Sequence, residues 1–206
     1  MTAGPSVVVL DYGSGNLRSA ERALSRVGAT VSVTADIDAA RECDGLVVPG
    51  VGAFAACMAG IRSVGAAEVV SARVGAGRPV LGICVGMQVL YDAGDEHGVV
   101  TPGIGVLPGR VTRLDAPILP HMGWNTVTPP TGSALFRGVE GERFYFVHSY
   151  AARSGSAAAP GESVAEHGSR FVAAIERGAL AATQFHPEKS GDAGLALLAN
   201  WVRSVS

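Results

Sequence analysis

The chain has 206 residues, of which 48% are hydrophobic and 17% are charged. This apolar content can offset the conformational entropy lost on folding, which excludes an intrinsically disordered chain. The 16 basic and 18 acidic residues leave a formal net charge of -2 without any Lys/Arg run. Composition therefore gives no support for a nucleic-acid or anionic-membrane partner.

The length predicts a single domain over residues 1–206. Asp11 interrupts the apolar N-terminal run, and no stretch approaches the ~20 apolar residues that cross a bilayer. Three cysteines are an odd number for a disulfide framework. We therefore expect a cytoplasmic protein with reduced cysteines.

The first half of the chain alternates short apolar runs with helical patterns, which is typical of βαβ units in a parallel sheet. A helix is predicted after the first strand, with apolar residues from Leu17 to Val27 at helical spacing and Gly28 at its end. Strands are predicted at 6–12, 29–34, 45–50 and 78–83.

Beyond residue 94 the pattern changes. A Gly- and Pro-rich loop is predicted at 94–109, and strands of a mixed or antiparallel extension at 109–114, 121–127 and 143–150. The small residues of 152–163 predict a mobile surface loop. A hairpin around Gly178 and a closing helix follow, the helix carrying one apolar stripe of Leu195, Leu198, Trp201, Val202 and Val205. The predicted fold is an α/β, three-layer, open mixed sheet with helices on both faces.

Cys84 is the candidate nucleophile. It lies in Gly-Ile-Cys-Val-Gly, where a predicted strand runs directly into a predicted helix, the spacing of a nucleophile elbow. A helix N-terminus favours the thiolate, and the backbone N–H of Val85 can serve a developing oxyanion. Cys43 and Cys57 lack such surroundings and are interpreted as small buried hydrophobes.

His186 and Glu188 are the candidate base and orienting acid. An imidazole can accept the thiol proton and return it to departing ammonia, and a carboxylate can hold its tautomer. In an extended segment, residues two apart project to the same side. His-Pro-Glu by itself is also compatible with an ordinary turn. The other histidines (His97, His121, His148 and His167) lie far apart in sequence, so we expect surface or packing roles and no zinc site.

The segment from Val48 to Phe54 is a glycine-flanked turn that ends a strand and enters a predicted helix. Its bare amides can approach a ligand closely, although similar turns also bind phosphates. Alone this is a weak signal.

The ordered set DYGSGNLRS, PGVGAF, GICVGMQ, HMGWN, FVHSY and QFHPEKS resembles the class I, triad-type glutamine amidotransferases, and among them the glutaminase subunits of imidazole glycerol phosphate synthase. The resemblance spans residues 7 to about 203. It implies hydrolysis of glutamine by Cys84, His186 and Glu188 without any cofactor or metal. It also implies an oxyanion hole of Val51, Gly52 and Val85, and glutamine contacts from Gly50, Gly52, Gln88, Ser149 and Tyr150.

The resemblance further implies a heterodimer with a (β/α)₈-barrel cyclase subunit. The barrel would use the ammonia to convert a phosphoribulosyl-formimino aminoimidazole carboxamide ribotide into imidazole glycerol phosphate and an aminoimidazole carboxamide ribotide, in histidine biosynthesis. Rearrangement of the PGVG turn would then activate the glutaminase. The implied partner contacts are Asn16, Trp124, Asn125, Tyr145 and Lys189, although Trp124 and Tyr145 are equally compatible with core packing.

Two departures from the family pattern are expected to leave the chemistry unchanged. Val85 stands where a leucine is common, and Ser14 occupies a variable place. Two rival interpretations remain open. A cysteine peptidase or γ-glutamyl hydrolase could share the triad and sheet, and a noncatalytic partner-binding module could retain the fold.

Overall fold

The computed structural model describes residues 4–155 and 159–205. In chain order the elements are β1 (Ser6–Leu10), α1 (Leu17–Arg26), β2 (Thr30–Thr34), α2 (Ile37–Glu42), β3 (Gly45–Gly50), α3 (Phe54–Ser63), α4 (Ala66–Gly75), β4 (Val80–Cys84), α5 (Val85–Gln88), β5 (Tyr91–Glu96), β6 (Val99–Pro102), β7 (Leu107–Arg113), β8 (His121–Thr126), β9 (Arg143–His148), β10 (Tyr150–Ala152), β11 (Glu162–His167), β12 (Ser169–Arg177), β13 (Leu180–Thr183), the short 3-10 helix Pro187–Lys189, and α6 (Gly191–Val205).

A seven-stranded mixed sheet forms the centre of the molecule, in the order β11-β12-β13-β4-β3-β1-β2. β13, β4, β3, β1 and β2 are parallel to one another, whereas β12 pairs antiparallel with both β11 and β13. The predicted mixed sheet is therefore confirmed, as is the hairpin around Gly178, which joins β12 to β13. Because β13 is parallel to β4, the carboxyl ends of these two strands meet at one edge.

The helices pack in two groups, α1 with α6 and α4 with α2 and α3. β3 and β4 are buried along their whole length, as expected for strands covered on both faces. The predicted first helix is present, and Gly28 beyond its end has a positive φ of 99°. In the closing helix Leu198, Trp201 and Val202 are buried, as its stripe predicted.

Two smaller sheets complete the fold: a four-stranded sheet in the order β10-β7-β5-β6, and the β8–β9 hairpin. The prediction of a loop over 94–109 is wrong, since β5 and β6 form an antiparallel hairpin there. The turn of this hairpin uses His97 and Gly98, both with positive φ. The predicted loop over 152–163 is shorter than expected because β10 ends at Ala152 and β11 begins at Glu162; residues 156–158 of it lie outside the described residues.

Arg73 links α2 to the segments that lead into β3 and β4 of the seven-stranded sheet. Its guanidinium is buried (2% exposed) and donates to the carbonyls of Ala40, Arg41, Cys43, Asp44 and Pro79. These carbonyls lie at the C-terminus of α2 and just before β3 and β4. The cation therefore also complements the negative end of the α2 dipole.

In the part of the chain that the structure describes, no single helix is long and apolar enough to cross a membrane. Two consecutive helices, Phe54–Ser63 and Ala66–Gly75, reach the length and apolar composition of a membrane span only when taken together, and they are bent by 90° relative to each other.

Candidate active site

The predicted elbow is present at Cys84. The residue ends β4 and begins α5 with φ 56° and ψ -114°, a backbone conformation that non-glycine residues rarely adopt. A Cβ at Gly86 would lie 1.8 Å from the carbonyl oxygen of Val48, and one at Gly82 would lie 2.8 Å from the oxygen of Gly86. Glycine is therefore required two residues before and two residues after Cys84. The helix after the elbow is only four residues long, so its dipole supports the thiolate less than expected.

His186 and Glu188 follow β13 at the same sheet edge. Nδ1 of His186 lies 2.8 Å from Oε1 of Glu188, and both side chains are 2% exposed. The expectation of an extended segment here is wrong, because a 3-10 helix spans Pro187–Lys189 and brings the carboxylate back to the ring. The His186 backbone is fixed as well: its N–H donates to the carbonyl of Tyr145, and its carbonyl accepts from the Ser190 hydroxyl.

The His186 pKa reflects its contact with Cys84. Burial opposes the charged imidazolium, but hydrogen bonds to Cys84 and Glu188, together with their negative charges, outweigh burial and raise the pKa to about 9. The carboxylate occupies Nδ1, so Nε2 is left for the sulfur. At neutral pH this ring is an imidazolium that can donate its Nε2 proton.

A cavity of about 310 Å³ opens over Cys84, which is 4% exposed. Its lining brings together most of the predicted site: Val51, Gly52, Cys84, Val85, Gln88, Ser149, Tyr150, His186 and Lys189. Gly50 lies beneath, where an added Cβ would be 2.5 Å from the amide nitrogen of Gly86. Three further lining residues were not predicted: Glu96, Val147 and His148.

The PGVG turn lies beside the sulfur because Gly50 pairs with Cys84 in the β3–β4 register. The Val51 N–H donates to Oγ of Ser14 at 3.3 Å, and the Ser14 hydroxyl donates to the carbonyl of Val51 at 2.8 Å. The Tyr12 hydroxyl donates to the carbonyl of Pro49, at the start of the same turn. Ser14, which was expected to leave the chemistry unchanged, therefore hydrogen-bonds a backbone N–H that the resemblance assigns to the oxyanion hole.

Gln88 and Gln184 form a buried amide pair behind the cavity. Nε2 of Gln88 donates to the carbonyl of Tyr150 at 2.9 Å and to Oε1 of Gln184 at 3.0 Å. Nε2 of Gln184 lies 3.8 Å from Sγ of Cys84. No role was predicted for Gln184; its position two residues before His186, in the same motif, was the available signal.

Three histidines that lie far apart in sequence pack together. Nδ1 of His121 is 3.0 Å from Nε2 of His148, and the rings of His121 and His167 stack at 4.3 Å between centroids. Burial lowers the pKa of His121 to about 4 and that of His148 to about 3, so both are neutral at physiological pH. Within residues 4–155 and 159–205, no group of three His, Cys, Asp or Glu residues is placed to hold a metal ion.

The predicted partner contacts occupy different environments. Trp124 is 48% exposed, and its ring meets the edge of the partly buried Tyr145 ring at 6.1 Å between centroids, so core packing does not describe this pair. Lys189 is exposed at the cavity and Asn16 precedes α1. The Asn125 side chain is used within the chain, donating to the carbonyl of Glu166.

Comparison with known proteins agrees with this geometry. The family model described as glutamine amidotransferase class-I matches residues 8–205. The imidazole glycerol phosphate synthase subunit HisH of Mycobacterium bovis is 64% identical, covering 98% of each chain, and that of Thermobifida fusca is 58% identical, covering 98% of this chain and 99% of its own. Among solved structures, a glutamine amidotransferase superposes with a TM-score of 0.71 at 23% identity, covering 94% of this chain and 98% of its own. The chain belongs to the class-I glutamine amidotransferase family, within its group of HisH subunits.

Proposed function

We propose that residues 1–206 act as one domain that hydrolyses L-glutamine to glutamate and ammonia, as the glutaminase subunit of imidazole glycerol phosphate synthase in histidine biosynthesis. The observation that carries this proposal is the His186–Glu188 hydrogen bond beside Cys84, in a cavity of about 310 Å³. Such a cavity is of ordinary size for a small-molecule site.

The proposed reaction begins when the Cys84 sulfur attacks the carboxamide carbon of glutamine. The tetrahedral intermediate collapses as His186 gives its Nε2 proton to the nitrogen, and ammonia leaves. The neutral imidazole then takes a proton from water, whose oxygen attacks the γ-glutamyl thioester. Glutamate departs, and the sulfur returns to its pair with the imidazolium.

The tetrahedral oxyanion needs backbone donors near the sulfur. Val85 N–H at the elbow is the first, and the amides of Val51 and Gly52 are the proposed second source. Because the Val51 N–H donates to Ser14, it must turn away from that hydroxyl to take part. This requirement supports a PGVG turn that rearranges before full activity.

The cavity also suits the two charges of an amino acid. Glu96 supplies a carboxylate and Lys189 an ammonium. We assign Glu96 to the α-ammonium of glutamine, with Gly50, Gly52, Gln88, Ser149 and Tyr150 as the other proposed contacts. Both amide hydrogens of Gln88 are donated to groups within the chain, so its side-chain oxygen is the atom available to glutamine.

Glutamate release from glutamine, measured with the cyclase subunit present, tests the chemistry. Cys84→Ala should abolish release, whereas Cys43→Ala, a buried cysteine outside the cavity, should leave it unchanged. Release from folic polyglutamates or peptides in place of glutamine would favour a hydrolase of another specificity. An affinity label derived from glutamine that left Cys84 unmodified in the complex would favour a noncatalytic module.

We further propose a cyclase partner with a (β/α)₈-barrel fold, in a cytoplasmic heterodimer. The proposed contact surface consists of Asn16, Trp124, Asn125, Tyr145 and Lys189. An exposed Trp with an adjacent Tyr is the composition of an interface hot spot. This surface lies beside the cavity, because Lys189 belongs to both, so ammonia would have a short route to the partner.

Lys189 offers a direct test of this surface because it is the only lysine in the sequence. An amine-specific acylating reagent should modify Lys189 in the free chain and fail to do so in the complex. The N-terminal amine is the internal control. Equal labelling of Lys189 in both states would exclude it from the contact.

A further inference from the structure

Gln184 lies at the junction of β13 and the triad segment. Its side chain is wholly buried, and it separates the proposed nucleophile from Gln88. An amide removed from water costs free energy unless its donors and acceptors are paired. The partners of Gln184 are therefore informative about why a polar residue is placed there.

The orientation of the Gln184 amide follows from its neighbours. Amide nitrogen and oxygen are assigned from hydrogen-bond networks, and this network has one consistent solution. The Tyr150 carbonyl can only accept, so the Gln88 group facing it is the NH₂. That NH₂ also faces Gln184, which must present its oxygen there. The Gln184 NH₂ is consequently directed at the Cys84 sulfur, at 3.8 Å.

A donor at this distance from sulfur is weak when the sulfur is a neutral thiol. It becomes stronger when the sulfur carries a negative charge, because charge-assisted hydrogen bonds are roughly twice as strong as neutral ones. The contact thus favours the thiolate over the thiol. His186 does the same from its own side of the sulfur.

We propose that Gln184 is a catalytic residue whose Nε2–H donates a hydrogen bond to the Cys84 thiolate, alongside His186. The inference rests on the proposed nucleophilic role of Cys84. No proton leaves the amide. The donor stabilises the sulfur anion before attack, and again when water cleaves the thioester and sulfur is the leaving group. Through its oxygen, the same residue holds Gln88 in the cavity wall.

The test measures sulfur reactivity independently of glutamine binding. Iodoacetamide alkylates a thiolate by displacing iodide, and this reaction needs neither an oxyanion hole nor a bound substrate. The rate at Cys84 would be followed by peptide mass spectrometry from pH 5 to pH 9. Gln184→Met keeps the length of the side chain and removes the donor, whereas Gln184→Glu places a carboxyl group at the same position.

The other titratable groups around the sulfur remain the same in every variant. They are Tyr12, Cys57 and His186 around Cys84, and Glu96, His148 and Lys189 in the cavity lining. Asn200→Leu is the matched control, since Asn200 is a buried carboxamide that donates to the carbonyls of Leu135 and Arg137 and does not line the cavity.

On the rising part of the pH–rate profile, where the thiolate is still being formed, we expect Gln184→Met to slow alkylation about 5-fold, Gln184→Glu to slow it further, and Asn200→Leu to leave it unchanged. Alkylation of Gln184→Met at the wild-type rate, or equal slowing in Asn200→Leu, would overturn the inference. If Gln184→Met does not fold, a wild-type rate in Gln184→Glu overturns it equally.

These outcomes are separable from failure of the proposed function. Wild-type chain alkylated at Cys84 should lose glutamine hydrolysis. Hydrolysis that survives this alkylation would overturn the role of Cys84 and, with it, the role of Gln184. If alkylation stops hydrolysis but the alkylation rate does not depend on residue 184, only the inference about Gln184 is overturned.

Discussion

Glu188→Gln isolates the charge of the orienting acid. The variant keeps the size of the side chain and an oxygen that can accept from Nδ1 of His186, now at 2.8 Å, but it removes the negative charge. Both side chains are buried, so solvent screens that charge very little. The change should therefore lower the His186 pKa and leave the ring in place.

The size of the effect follows from the raised pKa. A shift from 6.5 to about 9 corresponds to about 3 kcal/mol, at ~1.4 kcal/mol per unit. Cys84 and Glu188 both contribute to the rise, so removing one charge should lower the pKa by about one to two units. At pH 8 the ring would then be roughly half to nine-tenths neutral, so we expect glutamine turnover at that pH to fall about 2- to 10-fold as the protonated acid is lost.

The raised pKa of His186 also makes the stability of the fold depend on pH. A histidine whose folded pKa lies above its unfolded value stabilises the fold fully below pH 6.5, and this contribution is lost as pH rises through about 9. The wild-type chain should therefore exceed Glu188→Gln in stability by roughly 1–3 kcal/mol at pH 6, with a smaller difference at pH 9.5. Urea unfolding at several pH values measures this difference.

Glu176→Gln provides the matched control. Its carboxylate is also hydrogen-bonded, accepting from Ser133 and from the backbone of Leu135, but it lies outside the cavity. This variant should keep wild-type turnover at every pH. An unchanged pH profile in Glu188→Gln, or a stability difference that grows toward alkaline pH, would refute the reasoning about His186.

Three further predictions concern the turn, the sheet and the elbow. Ser14→Ala releases the Val51 N–H, so glutamine turnover by the chain without its partner should rise about 2- to 10-fold, the equivalent of one hydrogen bond; an unchanged kcat would show that Ser14 does not restrain the turn. Arg73→Met removes five hydrogen bonds of a buried guanidinium, although the carbonyls of Arg41 and Cys43 still accept from Arg78 and that of Pro79 from Leu46, and it should lower the free energy of unfolding by about 2–4 kcal/mol in urea titrations, whereas a loss below about 1 kcal/mol would mean that water replaces the guanidinium. Gly86→Ala places a Cβ 1.8 Å from the Val48 oxygen, so we expect no folded protein by circular dichroism, while Gly141→Ala, which meets nothing within 4 Å, should fold normally.

Local patterns in the sequence were sufficient for the four parallel strands and the first helix of the first half of the chain. The four parallel strands are short and apolar, and each is followed by a helix or a glycine turn, so periodicity separates them well. The β5–β6 hairpin was missed because β5 is largely polar, β6 is short and mostly exposed, and the segment 94–109 around them is rich in Gly and Pro, features that also describe a loop. Its pairing depends on partners elsewhere in the chain, which local patterns do not contain.

The candidate site was likewise predictable from the sequence only in part. Cys84, His186 and Glu188 are recognisable because each lies in a short motif whose spacing determines its geometry. Ser14 and Gln184 act across 37 and 100 residues, on Val51 and Cys84 respectively. No local spacing encodes such a contact, so only the folded backbone shows that these side chains reach the turn and the sulfur.

The glycine contact beneath the site determines where movement can occur. Gly50 and Gly86 bring the backbones of β3 and the elbow together without a side chain between them, and a methyl group at either position would collide with the facing backbone. This junction cannot open or slide without losing its packing. Gly52, by contrast, has open space around it and a φ of 86°. Rotation of the peptide plane at Val51 and Gly52 is thus the adjustment that leaves the sheet undisturbed.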